Sequence, residues 1–190
     1  MSEQFDTAEK THILQIKNAI ESYTSDRMQR LDHRIQILVK MYGILTGGVT
    51  ASVFWGEKPN DYDIYFKLDH ARDEFQKLLL DEKIQADIAD INPKYGVETL
   101  VNGKLVTSHA VTFKNGIQIV LMHTSEARET FDYVHTMPWY DFDTKKYYIS
   151  RQQYDVINQK KLVKNPHPNS FGVTEKRMQK FIDRGWTVTI

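Results

Sequence analysis

The chain has 190 residues, with 25 Lys and Arg balancing 25 Asp and Glu, 41% hydrophobic residues and no cysteine. A chain of this length buries roughly 70% of its unfolded surface and needs no covalent staple. The lack of cysteine excludes a disulfide scaffold and a thiolate zinc site, and no apolar run approaches the roughly 20 residues of a membrane span.

The first six residues, Met1 to Asp6, have neither the basic start nor the apolar core of a signal peptide, so a cytoplasmic protein without membrane contact is expected. Residues 7–22 place Ile13, Leu14, Ile16, Ala19 and Ile20 at helical spacing, with Thr7 as the expected cap. A second helix from about Ser25 puts Met28, Leu31, Ile35 and Leu38 on one stripe. Gly43 to Thr46 is a short apolar strand running into Gly47-Gly48, followed by a helical stretch through Val53, Phe54 and Trp55. Tyr62 to Leu68 alternates as a strand, and His70 to about Lys83 forms an amphipathic helix. Two Asn-Gly pairs, Asn102-Gly103 and Asn115-Gly116, predict type I′ turns joining 97–101, 104–114 and 117–122 into an antiparallel meander. A short helix over Ser125 to Thr130, strands over 131–141 and 146–149, and a helix over 150–158 come next. Asn165 to Ser170 is a loop, since Pro166 and Pro168 forbid a helix, and Thr174 to Arg184 is the last helix, closed by Gly185. The order predicts an α+β fold, a mixed sheet flanked by helices.

The zero net charge hides an asymmetry. Residues 57–100 carry eleven acids against six bases, and residues 143–190 carry ten bases against four acids. An acidic centre and a basic C-terminal third are a pattern compatible with an anionic partner. On the last predicted helix, Arg177, Lys180 and Arg184 share a face and could meet a triphosphate or an RNA backbone.

Chemistry concentrates in Gly43 to Phe66. A strand delivers Gly47-Gly48 to a helix start, where glycine permits close backbone approach and free N–H groups can meet a phosphate. Asp61 and Asp63 follow, and on a strand residues i and i+2 face the same way, roughly 6.5–7 Å apart. Two such carboxylates suit Mg²⁺ or Mn²⁺, and such a site suits phosphoryl or nucleotidyl transfer.

This stretch resembles the DNA polymerase β-type nucleotidyltransferase superfamily, in particular the head domain of CCA-adding tRNA nucleotidyltransferases and bacterial poly(A) polymerases. That family's pattern is Gly-Gly-x-Val-Arg-Asp-x-Leu-Leu-Gly-x-x-Pro-x-Asp-x-Asp, and Gly47, Gly48, Gly56, Pro59, Asp61 and Asp63 fall at its spacing without a gap. A looser echo of the family's Arg-Arg-Asp-Phe motif lies at Arg128 to Asp141. The chain also resembles short phage or viral nucleotidyltransferase-like proteins. The resemblance implies a nucleotidyltransferase-like mixed β-sheet over residues 1–190, with a core over about 25–150 and a basic extension over about 151–190. It further implies Asp61 and Asp63 as catalytic metal ligands for Mg²⁺ or Mn²⁺. Gly47, Gly48, Thr50, Ser52, Lys176 and Arg177 would then contact the nucleotide.

Two features depart from the family. Its Arg-Asp after the glycines is Ala51-Ser52 here, and the neighbouring strand offers only Gln118 where a third carboxylate is usual. Gln118 could complete the metal shell, or Asp132 could supply the missing catalytic acid. The chain lacks the Glu-Asp-x-x-Arg stretch that family uses for base choice, which argues against CCA addition. Two functions follow: transfer of a nucleoside monophosphate from a nucleoside triphosphate to an RNA, protein or small-molecule hydroxyl, or binding of nucleotide, RNA or a protein partner without turnover. Elsewhere, the seven histidines show no close metal-ligand pairing, although His135 shares a strand with the Asp132 candidate, and Trp139 or Tyr140 could stack a base.

Overall fold

The structure, a computed structural model, describes residues 4–81, 88, 99–101, 104–106, 109–121, 124–167, 169–170 and 172–188. Helix α1 (Thr7–Met28) is capped by Asp6 and not by Thr7. The Asp6 carboxylate accepts the Glu9 N–H, and the Glu9 carboxylate accepts the Asp6 N–H, both at 2.9 Å. The helix runs past the expected end at residue 22, and the buried Thr24 hydroxyl bonds the Ile20 carbonyl at 2.7 Å within it. Helix α2 (His33–Tyr42) starts instead at Asp32, which accepts the Arg34 N–H.

Strand β1 (Gly43–Thr46), helix α3 (Gly48–Phe54), strand β2 (Tyr62–Phe66) and helix α4 (Asp69–Leu80) follow in the expected order, although β2 ends two residues before the expected Leu68 and α4 stops at Leu80, short of about Lys83. The expected three-strand meander divides. Among the described residues, strands β3 (Thr99–Val101) and β4 (Lys104–Val106) pair only with each other, and the Asn102-Gly103 turn lies outside those residues. Strands β5 (Ala110–Thr112) and β6 (Ile117–Val120) join the main sheet. Of the Asn115-Gly116 pair only Gly116 takes positive φ, at 84°, and the Gly116 N–H donates to the Phe113 carbonyl. The loop is therefore a three-residue turn ending in a left-handed glycine, not type I′.

The strand expected over 131–141 shrinks to β7 (Trp139–Asp141). Residues 134–136 form a 3₁₀ turn instead, and Pro138, with no N–H for a ladder, precedes the strand. Strand β8 (Lys146–Tyr148), helix α5 (Arg151–Asn158), strand β9 (Lys161–Leu162), helix α6 (Glu175–Ile182) and strand β10 (Thr187–Val188) complete the order. The parallel β9–β10 pair has no counterpart in the sequence expectations.

The main sheet has six strands in the order β5-β6-β2-β1-β7-β8, with β2 and β6 parallel and every other pair antiparallel. This is the expected α+β arrangement. Tyr62, Ile64 and Phe66 of β2 are buried on the face that packs against α2 and α4, with the Phe66 and Phe75 rings 5.7 Å apart. Alternation sends Asp63 and Tyr65 to the opposite face. The register lines up Thr112, Gln118, Asp63, Thr46, Trp139 and Tyr148 as one row across all six strands. Residues in register share a face, so the candidate carboxylate sits mid-sheet with its neighbours fixed.

Candidate functional site

Gly47 ends β1 and precedes α3 with φ 88°, a conformation L side chains rarely adopt. Its N–H donates to the Thr136 carbonyl at 3.0 Å, and Thr46 Oγ1 donates to the Pro138 carbonyl at 2.9 Å. The 134–138 segment thus clamps the turn. A β-carbon at Gly48 would meet nothing within 4 Å, so its backbone faces open space.

Two adjoining hollows meet at Gly48, Asp63 and Arg177. One, of about 300 Å³, is lined by Gly47, Tyr65, Phe131, Asp132 and Thr136 as well. The other, of about 380 Å³, adds Ser52, Glu57, Asp61, Lys180, Phe181 and Arg184. The expected Asp61 and Asp63 pair therefore opens into one cleft, facing the glycine turn on one side and helix α6 on the other. Burial, and then the Asp61 charge beside it, push the Asp63 carboxyl up to about 6, partly offset by Arg177 and Lys180. A larger hollow of about 520 Å³, between Glu21, Met28, Lys40, Tyr140 and Lys145, holds neither the glycine turn nor the carboxylate pair.

Other expected contacts fall differently. Thr50 is fully buried and its hydroxyl bonds the Gly47 carbonyl at 2.9 Å, so it supports the turn from within and does not face a ligand. Ser52 does line the cleft, where its hydroxyl accepts from Arg184 at 3.1 Å. Lys176 is exposed and outside both hollows, whereas Arg177 and Lys180, one helical turn apart on α6, line the second together with Arg184, which lies in the turn past the end of the helix. Gln118 stands beside Asp63 in register, but its amide donates to Thr112 Oγ1 at 2.9 Å. Asp132 lies in the first hollow with its carboxylate gripped by Arg177 Nε and Nη2. Among the described residues, no three His, Asp or Glu are grouped to hold a metal. The donor set fits a cation held by two carboxylates from one side.

Tyr140 is buried with its hydroxyl on Glu21 at 2.8 Å, so it cannot stack a base. Trp139 stacks on Tyr148 at 4.0 Å and carries the Arg128 guanidinium 4.9 Å from its ring centre. His135 is fully buried between Tyr133, Phe181 and Trp186 and is held neutral, its pKa pushed down to about 3 chiefly by burial. It supports the seat of α6. Sequence reasoning missed the Asp132–Arg177 pair, whose members lie 45 positions apart.

Residues 13–160, more than half of the chain, match the model of the Gabija anti-defense 2 family. The chain belongs to that family. No curated protein matches it in sequence. Among solved structures it is similar to a Thermotoga maritima CCA-adding enzyme complexed with tRNA, at 15% identity and a TM-score of 0.49 over 87% of this chain and 42% of that one. It is similar also to a Bacillus stearothermophilus CCA-adding enzyme in complex with CTP, at 12% identity and a TM-score of 0.45, over 77% and 36%. A tRNA nucleotidyltransferase complexed with a primer tRNA and an incoming ATP analogue gives 10%, 0.48, 82% and 46%. The family member described here spans less than half the length of each. No helix of the described residues is long and apolar enough to cross a membrane.

Proposed function

We propose that this Gabija anti-defense 2 family chain is a metal-dependent nucleotidyltransferase. It would move a nucleoside monophosphate from a nucleoside triphosphate to a hydroxyl of an RNA, a protein or a small molecule. One observation carries the reading: Asp61 and Asp63 open into a cleft bounded by the Gly47-Gly48 turn and by Arg177, Lys180 and Arg184. Asp61 and Asp63 would hold Mg²⁺ or Mn²⁺, which would neutralise phosphate charge and polarise the reacting phosphorus. The open backbone at Gly48 lets phosphate oxygens approach, and Arg177 and Lys180 of α6, with Arg184 just past its end, would offset triphosphate charge. Asp63 must lose its proton to bind the cation, so binding strengthens as pH rises through about 6. The family description supports a setting in which such an activity would act against a defence system.

A second reading, nucleotide binding without turnover, is favoured by the lack of a third carboxylate grouped with Asp61 and Asp63 among the described residues. One experiment separates the two. The chain is incubated with each α-labelled nucleoside triphosphate, Mg²⁺ or Mn²⁺, and RNA or cell lysate, beside an Asp61→Ala/Asp63→Ala variant. Label transfer that the variant lacks supports the enzyme. Metal-dependent binding without transfer selects the second reading, and neither result in the parent chain sinks both.

A further inference from the structure

The Asp132 carboxylate is 4% exposed as a residue, yet it is not free. Its Oδ2 takes Arg177 Nε, and its Oδ1 takes Arg177 Nη2 at 3.1 Å and the Tyr133 N–H at 3.1 Å. The backbone is also pinned, since the Asp132 carbonyl accepts the Asn165 N–H at 2.9 Å and the Phe131 carbonyl accepts from Asn165 Nδ2 at 2.8 Å. A divalent cation on these oxygens would sit against a guanidinium, an arrangement that Coulomb repulsion disfavours. Arg177 is side-on to the carboxylate, through Nε and Nη2, which leaves Nη1 with no hydrogen-bond partner among the described residues. The same side chain borders both hollows together with Asp63.

We propose that Asp132 is a positioning residue and not a metal ligand: it fixes the Arg177 guanidinium so that Nη1 meets a phosphoryl oxygen of a triphosphate bound beside Asp63. The inference rests on the nucleotide-binding reading above and adds to it a division of labour among three acids. Asp61 and Asp63 face the cation, and Asp132 faces the cationic side chain that receives the anion. A two-pronged carboxylate grip fixes the plane of a guanidinium, which a single contact to lysine would not. Arg177 comes from a helix that begins two residues earlier, so without Asp132 its long side chain would be free to swing away from the cleft.

Calorimetric titration with Mn²⁺ alone, and with Mg²⁺ plus nucleoside triphosphate analogues carrying a non-hydrolysable α–β bridge, tests this. Thermal unfolding verifies that each variant folds. Arg177→Ala is expected to weaken analogue binding about tenfold. Asp132→Asn is expected to weaken it about three- to tenfold, with no further loss in the double variant, because both act through one contact. Mn²⁺ affinity should stay within about twofold of the parent in Asp132→Asn and vanish in Asp63→Asn. If Asp132→Asn does not fold, Arg177→Lys gives the same test, since it keeps the charge and loses the fork. Loss of Mn²⁺ binding in Asp132→Asn, or fully additive losses on the analogue, overturns the proposal while leaving the functional reading intact. A parent chain that binds neither Mn²⁺ nor any analogue overturns the functional reading and this inference with it.

Discussion

Gly47 lies so close to Asp63 that a β-carbon built on it would stand 3.1 Å from Asp63 Oδ2. The same glycine has φ 88°, so a side chain there would suffer strain and would press on the Asp63 carboxylate. Gly47→Ala should cost about 1–2 kcal/mol of stability and also weaken Mn²⁺ binding by displacing the carboxylate. Gly48→Ala meets no atom within 4 Å and should leave stability within about 0.5 kcal/mol while weakening triphosphate binding. Calorimetric unfolding and titration of both variants check the contrast, and equal loss of stability in the two would refute it.

Asp63 should oppose folding at neutral pH. Its folded carboxyl titrates at about 6, above the ordinary 3.8, so the folded state holds the proton more tightly than the unfolded chain. The stabilising contribution is complete below pH 3.8 and is lost as pH rises through about 6. Asp63→Asn, which carries no charge to desolvate, should therefore raise stability by roughly 1–3 kcal/mol at pH 7.5 and by little at pH 4. Denaturant melts of the metal-free protein at both pH values measure this, and a variant less stable than its parent at pH 7.5 would count against it.

His135 carries the opposite sign. Its two ring nitrogens have no hydrogen-bond partner among the described residues, and the folded imidazole titrates at about 3 against an ordinary 6.5. The unfolded chain gains a proton first on acidification. The contribution of His135 is present above pH 6.5 and drains away as pH falls toward 3. His135→Phe removes two unsatisfied polar atoms from an aromatic cage and should flatten the fall in melting temperature between pH 7 and 4. An unchanged slope would show that other groups govern acid unfolding.

Arg184 joins two functions that experiment can separate. Its Nη2 touches Ser52 Oγ at 3.1 Å and Glu57 Oε2 at 2.8 Å, in a half-exposed ion pair. Such a pair contributes less than about 1 kcal/mol to stability. Arg184→Ala should thus leave melting nearly unchanged, yet weaken triphosphate binding and lessen its salt dependence, as titrations at two ionic strengths would show.

The site was legible where its information is local. The run from Gly43 to Asp63 places a strand, a glycine turn, a helix and a second strand within one short stretch, and each is fixed by near neighbours in sequence. The sharing of one cleft by Arg177 and Lys180 likewise follows from helical spacing alone, whereas the helix expected through Arg184 ends at Ile182 and Arg184 reaches the cleft from the turn beyond it. The strand expected to carry Asp132 does not form over 131–138, where the Thr136 and Pro138 carbonyls instead clamp Gly47 and Thr46. The true partner of Asp132 lies on a helix brought near by tertiary packing, for which no periodicity exists. Thr50 has the composition of a phosphate contact and the burial of a structural residue, and only packing distinguishes the two.

The cleft owes its polarity to one short helix. On the hollow shared by Asp61 and Asp63, every basic side chain except Lys58 belongs to α6 or lies two residues past its end, while the acids Glu57, Asp61 and Asp63 come from the loop and strand opposite. Without Arg177, Lys180 and Arg184 the hollow would keep one base, Lys58, against three acids, and its balance would shift from one suited to a polyphosphate toward one suited to cations. The sign of the cleft therefore rests on its two walls: the loop and strand around β2 carry the acids, and the stretch from Arg177 to Arg184 carries three of the four bases that offset them.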